Sequence, residues 1–282
     1  MKREGGSIRI LYVFTNSSPH VKGYAFITHH LPLQQLKLES CEIYALTSPW
    51  YPHRESMIDG HEEDGIHYHR TTHPARKEIN RMWSHRLIKR LTRVNGKPSE
   101  MKGSESNSKK FVLHRIFDFF YFGIFKVGRL VKKSFGIAWR VVEERILMKY
   151  FFKRITELAG DVRPDVIHAH TPYRVGLPAL RAARRLGIPF VYEMRGMWEE
   201  TAVANGRWKT WGPAYKRFRH LETKVLRKAD AVICISETLR SEAISRGVDP
   251  ELITLVPNAV SLSRFEGEDS ELLSQARPAM GE

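Results

Sequence analysis

Cysteine is scarce in this chain: of 282 residues only Cys41 and Cys234 carry a thiol, and each sits in an apolar run. Two thiols cannot build a disulfide framework, so the fold rests on an ordinary core and a reducing compartment suits it. Long hydrophobic runs are missing too. The best candidate for a membrane span is interrupted by Arg115, Asp118, Lys126 and Arg129, which leaves it short of the roughly 18 uninterrupted apolar residues a span needs. The start Met1-Lys2-Arg3 is basic, but the run Ile8 to Phe14 contains Arg9 and passes into Thr15-Asn16-Ser17-Ser18-Pro19. That pattern suits a strand and loop better than a secretion signal. No G-x-G-x-x-G fingerprint occurs. These absences point to a cytoplasmic protein without a spanning helix.

What is present is enough for a globular core: 42% apolar residues, 27% charged residues, and only 19 Gly and 14 Pro, which excludes collagen-like and wholly disordered chains. The length fits two domains or one sizeable α/β domain. Charge is unevenly spread. Residues 76–154 hold 21 of the 46 Lys and Arg but six of the 31 Asp and Glu, so this one segment carries the whole formal net charge of +15. Any anionic surface the protein meets is expected to meet it there.

Short apolar runs alternate with helical patterns, the arrangement of βαβ units and a mostly parallel sheet. Ile8 to Phe14 reads as the first strand, a helix from about Tyr24 to Leu38 is expected to be kinked or shortened by Pro32, and Cys41 to Leu46 and Gly65 to Arg70 read as further strands. The pattern then changes to a basic, helical and aromatic-rich stretch, 75–158, with a polar interval at 95–110. Alternation resumes with the runs Pro164 to His170, Phe190 to Glu193, Ala229 to Ser236 and Ile253 to Val256, separated by helices from about Val175 to Leu186, from about Pro213 to Lys228, and one with Ser236 as its N-cap that ends at Gly247. The expected architecture is a doubly wound, Rossmann-like α/β domain over 1–260 with a basic helical insertion at 75–158, followed by a linker or tail at 261–282. In such sheets ligands sit outside the carboxyl ends of the strands. Asn16, Ser17, His170, Glu193, Arg195 and Ser236 all fall at such ends and are expected to line one crevice.

Read in order, the runs Ile8 to Phe14 with Gly23, Asp165 to His170, Gly187 to Glu193, Arg227 to Ser236 and Val256 to Val260 resemble the N-terminal half of the family 4 retaining glycosyltransferases, whose fold is GT-B. The segment Tyr192-Glu193-Met194-Arg195-Gly196-Met197-Trp198-Glu199 is most similar to the branch associated with exosortase-type exopolysaccharide systems. The resemblance implies an acceptor-binding domain acting with a second Rossmann-like domain that holds a nucleotide sugar, the transferred sugar keeping its anomeric configuration. The acceptor would be a glycan or a polyprenyl- or lipid-linked precursor. Only seventeen residues follow Phe265, so no donor-binding half is expected within this sequence, and no cofactor bound by this chain. Positioning two reactants supplies roughly 7 to 11 kcal/mol, so the chain alone is expected to be nearly inactive. A non-catalytic binding module, or a subunit working with a separate donor-domain chain, is the competing reading.

The second histidine of His168-Ala169-His170 matches the family's acceptor-site histidine, which makes His170 the candidate catalytic residue. A hydrogen-bonded structural imidazole is its plain alternative. His168 points to the same face, but no spacing in the sequence supplies the third and fourth ligands of a zinc site, so no metal is expected. Gly23 reads as a close-approach or ordinary turn glycine. Arg195 suits either an acceptor phosphate or a salt bridge to Glu193 or Glu199. Pro257 and Asn258 mark the expected hinge. In the basic segment, Arg115, Phe119, Phe122, Lys126, Arg129, Lys132 and Lys133 have the composition of a helix lying on an anionic membrane surface, peripheral on the inner face. An aromatic face packed on the domain with solvated cations fits equally. Nucleic acid is not expected, since no helix-turn-helix, finger or RNP-type signature accompanies the charge.

Overall fold

Along β1 (Ile8–Phe14) side chains alternate between two cores, as the twofold period of a strand requires: Leu11 and Val13 enter one cluster, Tyr12 and Phe14 the other, and all four are fully buried. A strand buried on both faces belongs inside a parallel sheet covered by helices on both sides. The computed structural model, which describes residues 7–17, 24–37, 41–51, 59–74 and 136–259, places β1 there. After β1 come α1 (Tyr24–Leu36), β2 (Cys41–Thr47), β3 (His61–Glu63) and β4 (Ile66–Arg70). The second half comprises α2 (Gly136–Val162), β5 (Val166–His170), α3 (Tyr173–Leu186), β6 (Phe190–Met194), α4 (Trp198–Ala204), α5 (Pro213–Leu226), β7 (Ala231–Cys234), α6 (Glu237–Ser245), a 3-10 turn at Pro250–Leu252 and β8 (Ile253–Leu255).

The eight strands form one sheet in the order β3-β4-β2-β1-β5-β6-β7-β8. Every pair is parallel except β3 against β4. From β1 the chain works outward to one edge through β2 and β4, then returns to β5 and works outward to the other edge. The order therefore reverses between β1 and β5, which makes their carboxyl ends the topological switch point where sheets of this kind bind ligands. The α/β class and the doubly wound, mostly parallel sheet are those the sequence implies.

The larger core lies under α2 and α3. Phe151, Ile155 and Leu158 recur at helical spacing on α2 and pack with Val175, Leu180 and Ala183 of α3 against Leu11, Ile167, Ala169 and Tyr192 of the sheet. Residues 136–158 of the stretch expected to be an insertion thus belong to a helix built into the central core. The smaller core, on the opposite face, joins Tyr12, Phe14, Ile43, Ile66 and Tyr68 to Leu33 and Leu36 of α1. Pro32 lies inside α1 without ending it.

Several boundaries differ from the sequence expectation. α3 begins at Tyr173, α5 stops at Leu226, and β3 and α4 were not anticipated. β3 has three polar residues, His61-Glu62-Glu63, with no apolar alternation to announce it; it exists because β4 offers an antiparallel partner. α4 is short and its N-cap, Met197, supplies no side-chain hydrogen bond, although Glu199 and Glu200 in its first turn suit the positive end of the helix. Gly187 ends α3 in the left-handed conformation, φ 68°, with its N–H donating to the Ala183 carbonyl. Cys41 and Cys234 are free thiols on β2 and β7.

Candidate functional site

β5 supplies two imidazoles to one face of the sheet. Ile167 and Ala169 face the larger core, so the alternate positions His168 and His170 face the side of Tyr12 and Phe14. The rings pack together: Tyr12 lies 4.6 Å from His168 between centroids, Phe14 meets His170 edge-on at 4.7 Å, and the two imidazoles are 5.1 Å apart. His170 is fully buried and His168 is 6% exposed.

β6 brings a carboxylate to the same place. Glu193 is the register partner of His170 across the β5–β6 ladder, and one of its oxygens, Oε2, lies 3.1 Å from both His168 Nε2 and His170 Nε2. Its other oxygen, Oε1, accepts a hydrogen bond from Arg195 Nη1, and Arg195 Nη2 donates to Asn258 Oδ1 at 2.6 Å. The backbone N–H of Thr171 donates to the Glu193 carbonyl at 3.0 Å, tying the turn after β5 to β6. A continuous polar chain therefore runs from the two imidazoles through Glu193 and Arg195 to Asn258 on the segment leaving β8.

Burial alone would push the Glu193 carboxyl up, but charge and hydrogen bonding from His170 and His168 outweigh it and hold the group well below the usual carboxylate range. Burial pushes His170 down to about 4 against the pull of Glu193, so its imidazole is neutral at physiological pH. The site therefore presents an anionic carboxylate, a neutral His170 and a guanidinium, a set suited to orienting hydroxyl and phosphate oxygens. Of the two salt-bridge partners considered for Arg195, Glu193 is the one it takes. Glu199 pairs with Arg246 at 2.6 Å, both side chains fully buried.

The remaining candidates are dispersed. Asn16, after β1, uses its carbonyl to accept from Thr28 Oγ1 of α1. Ser236 caps α6, its Oγ accepting from the Leu239 N–H at 3.3 Å. Pro257 is exposed. Gly23 and the expected membrane-contact residues Arg115, Phe119, Phe122, Lys126, Arg129, Lys132 and Lys133 lie outside the described residues. Sequence reasoning missed Arg70. This buried guanidinium at the end of β4 donates to Ser17 Oγ and, at 2.6 Å, to Thr47 Oγ1, and lies over the rings of Tyr51 and Tyr68. The inward alternation Ile66, Tyr68, Arg70 was the available signal. The histidines around β3 and β4 sit beside carboxylates: His61 near Glu63, His67 near Glu62, His69 near Asp59.

Residues 121–264 match the sequence profile of Glycosyltransferase Family 4. The chain belongs to this family. A curated relative of this family 4 chain is the alpha-monoglucosyldiacylglycerol synthase of Streptococcus pneumoniae, 26% identical over 132 residues that make up 46% of this chain and 29% of the relative. Among solved structures, UDP-GlcNAc 2-epimerase from Neisseria meningitidis, bound to UDP-GlcNAc, matches with a TM-score of 0.46 at 13% identity, covering 98% of this chain and 55% of that one. HepE from Anabaena, in complex with UDP and glucose, matches with a TM-score of 0.46 at 11% identity, covering 97% and 50%. The family 4 chain thus spans about half the length of these solved structures.

Proposed function

We propose that this domain holds the acceptor in a glycosyl transfer, with a nucleotide sugar presented by a second Rossmann-like domain and the sugar transferred with retention of configuration. The observation that carries the reading is the array His168, His170, Glu193 and Arg195 at the switch point of a family 4 sheet. A glycolipid or exopolysaccharide precursor is the acceptor class proposed. The streptococcal relative bears the name of a glycolipid synthase. His170 anchors Glu193, which in turn anchors Arg195, so its part in catalysis is to hold this rim in register for the acceptor hydroxyl. Orientation of that kind is the main thing an acceptor domain contributes, and misplacement by about 1 Å costs on the order of a hundredfold in rate.

Calorimetry on the purified chain tests the division of labour. The expected result is binding of a lipid-linked glycan acceptor and no measurable binding of nucleotide sugars; binding of the nucleotide sugar without the acceptor would reverse the assignment. His170→Gln is expected to lower kcat with little change in KM in a transfer assay that supplies the family's donor domain. Unchanged turnover would remove His170 from the mechanism.

A further inference from the structure

Three buried side chains at the switch point converge on a single point. His168 and His170 are alternate residues on one strand, so both imidazoles emerge on one face. Glu193 lies opposite His170 on the neighbouring strand, and both Nε2 atoms lie 3.1 Å from the same carboxylate oxygen. All three donor atoms fall within 4.8 Å of one another, and among the described residues this is the one such group of His, Cys, Asp or Glu. The third donor that local sequence spacing lacks is supplied across the sheet.

We propose that His168 Nε2, His170 Nε2 and Glu193 Oε2 form a binding site for a divalent transition metal, zinc in the first instance. Zinc bonds of about 2.0 to 2.2 Å to nitrogen and oxygen place neighbouring ligands of a tetrahedral ion about 3.3 Å apart, close to the two separations observed. Two imidazoles and one carboxylate are a donor set that zinc takes readily, and three protein ligands leave a position open, as in catalytic rather than structural sites. The surroundings suit such an ion. Arg195 holds the second carboxylate oxygen and so fixes the orientation of Glu193, while the rings of Tyr12 and Phe14 wall the imidazoles off from water. The charge of Glu193 is already matched by Arg195, so a divalent ion leaves the centre cationic. The open position therefore favours an anionic oxygen ligand, a phosphate or a deprotonated hydroxyl. This site is read from metal binding alone and stands or falls independently of the transfer reaction.

The test uses the full chain freed of any histidine tag and stripped with chelator. Zinc chloride is titrated by calorimetry, and bound metal is counted by elemental analysis after desalting. One zinc per chain is expected, with His168→Ala and Glu193→Gln each lowering affinity about a hundredfold or more, and Arg195→Lys, a change behind the ligand, about tenfold. Because a buried substitution can unfold the protein, His168→Cys provides a second route: it keeps a donor, and cobalt loaded in place of zinc then acquires a thiolate-to-cobalt charge-transfer band absent from wild type. No stoichiometric zinc in the wild type, zinc binding indifferent to both ligand substitutions, or a cobalt spectrum unchanged in folded His168→Cys would each overturn the assignment.

Discussion

Glu222 illustrates how much a single buried carboxyl can shape the behaviour of this domain. It sits on α5 with Oε2 accepting the Tyr173 N–H at 2.7 Å and Oε1 accepting the Tyr192 hydroxyl. Burial pushes its pKa from near 4.5 up to about 7; the hydrogen bonds from Tyr192 and Tyr173 work against this, Glu199 adds to it and Arg246 lowers it. The folded form thus binds its proton more tightly than the unfolded chain does. The stabilisation is complete below pH 4.5 and is lost as pH rises through about 7, a change of about 3 kcal/mol. Urea midpoints at pH 5 and pH 8 should differ in that direction, and Glu222→Gln should flatten the difference; an unaltered pH profile would show that the carboxyl is not the source. Residue by residue, position was legible where strand periodicity and strand ends decide the matter: His168 and His170 share a face, and Glu193 and Arg195 fall at the end of the next strand. Arg70 was not, because its partners are Ser17 of the loop after β1 and Thr47 of β2, which only the folded sheet brings together.

Elements were legible in proportion to their apolar pattern. β1, β5 and α2 announce themselves through Ile, Val, Leu and Phe at twofold or helical spacing, whereas β3 and α4 depend on neighbours for their existence. Element packing also explains an otherwise costly residue. Gly176 lies within α3, where glycine is less favourable than alanine by roughly 1 kcal/mol. A methyl group there would come within 2.6 Å of the Tyr192 ring and 2.9 Å of Val225, so the missing side chain is what lets α3 approach β6 and α5. Gly176→Ala is expected to destabilise the domain by about 1–3 kcal/mol despite its better helix propensity. A rise in thermal midpoint would mean that Tyr192 and Val225 yield without penalty.

For the molecule as a whole, the doubly wound, mostly parallel sheet followed from the alternation of strands and helices, while the order of its strands and the antiparallel edge did not. Charge distribution acts on the same scale. With the net charge of +15 concentrated in residues 76–154, attachment to an anionic membrane is the proposed role of that segment. No helix among the described residues is long and apolar enough to cross a bilayer. Each engaged Lys or Arg is worth about 1 kcal/mol near such a surface. Co-sedimentation with vesicles containing anionic lipid is expected to exceed that with neutral vesicles and to fall as salt is raised; equal partitioning would reject electrostatic docking.

One contact has a mechanical meaning. Asn258, on the stretch that departs from the last strand, clasps the guanidinium that steadies Glu193. That stretch cannot swing outward without loosening its grip on Arg195, so a tug on the exit of the chain is felt at the carboxylate and, one contact further, at two imidazoles.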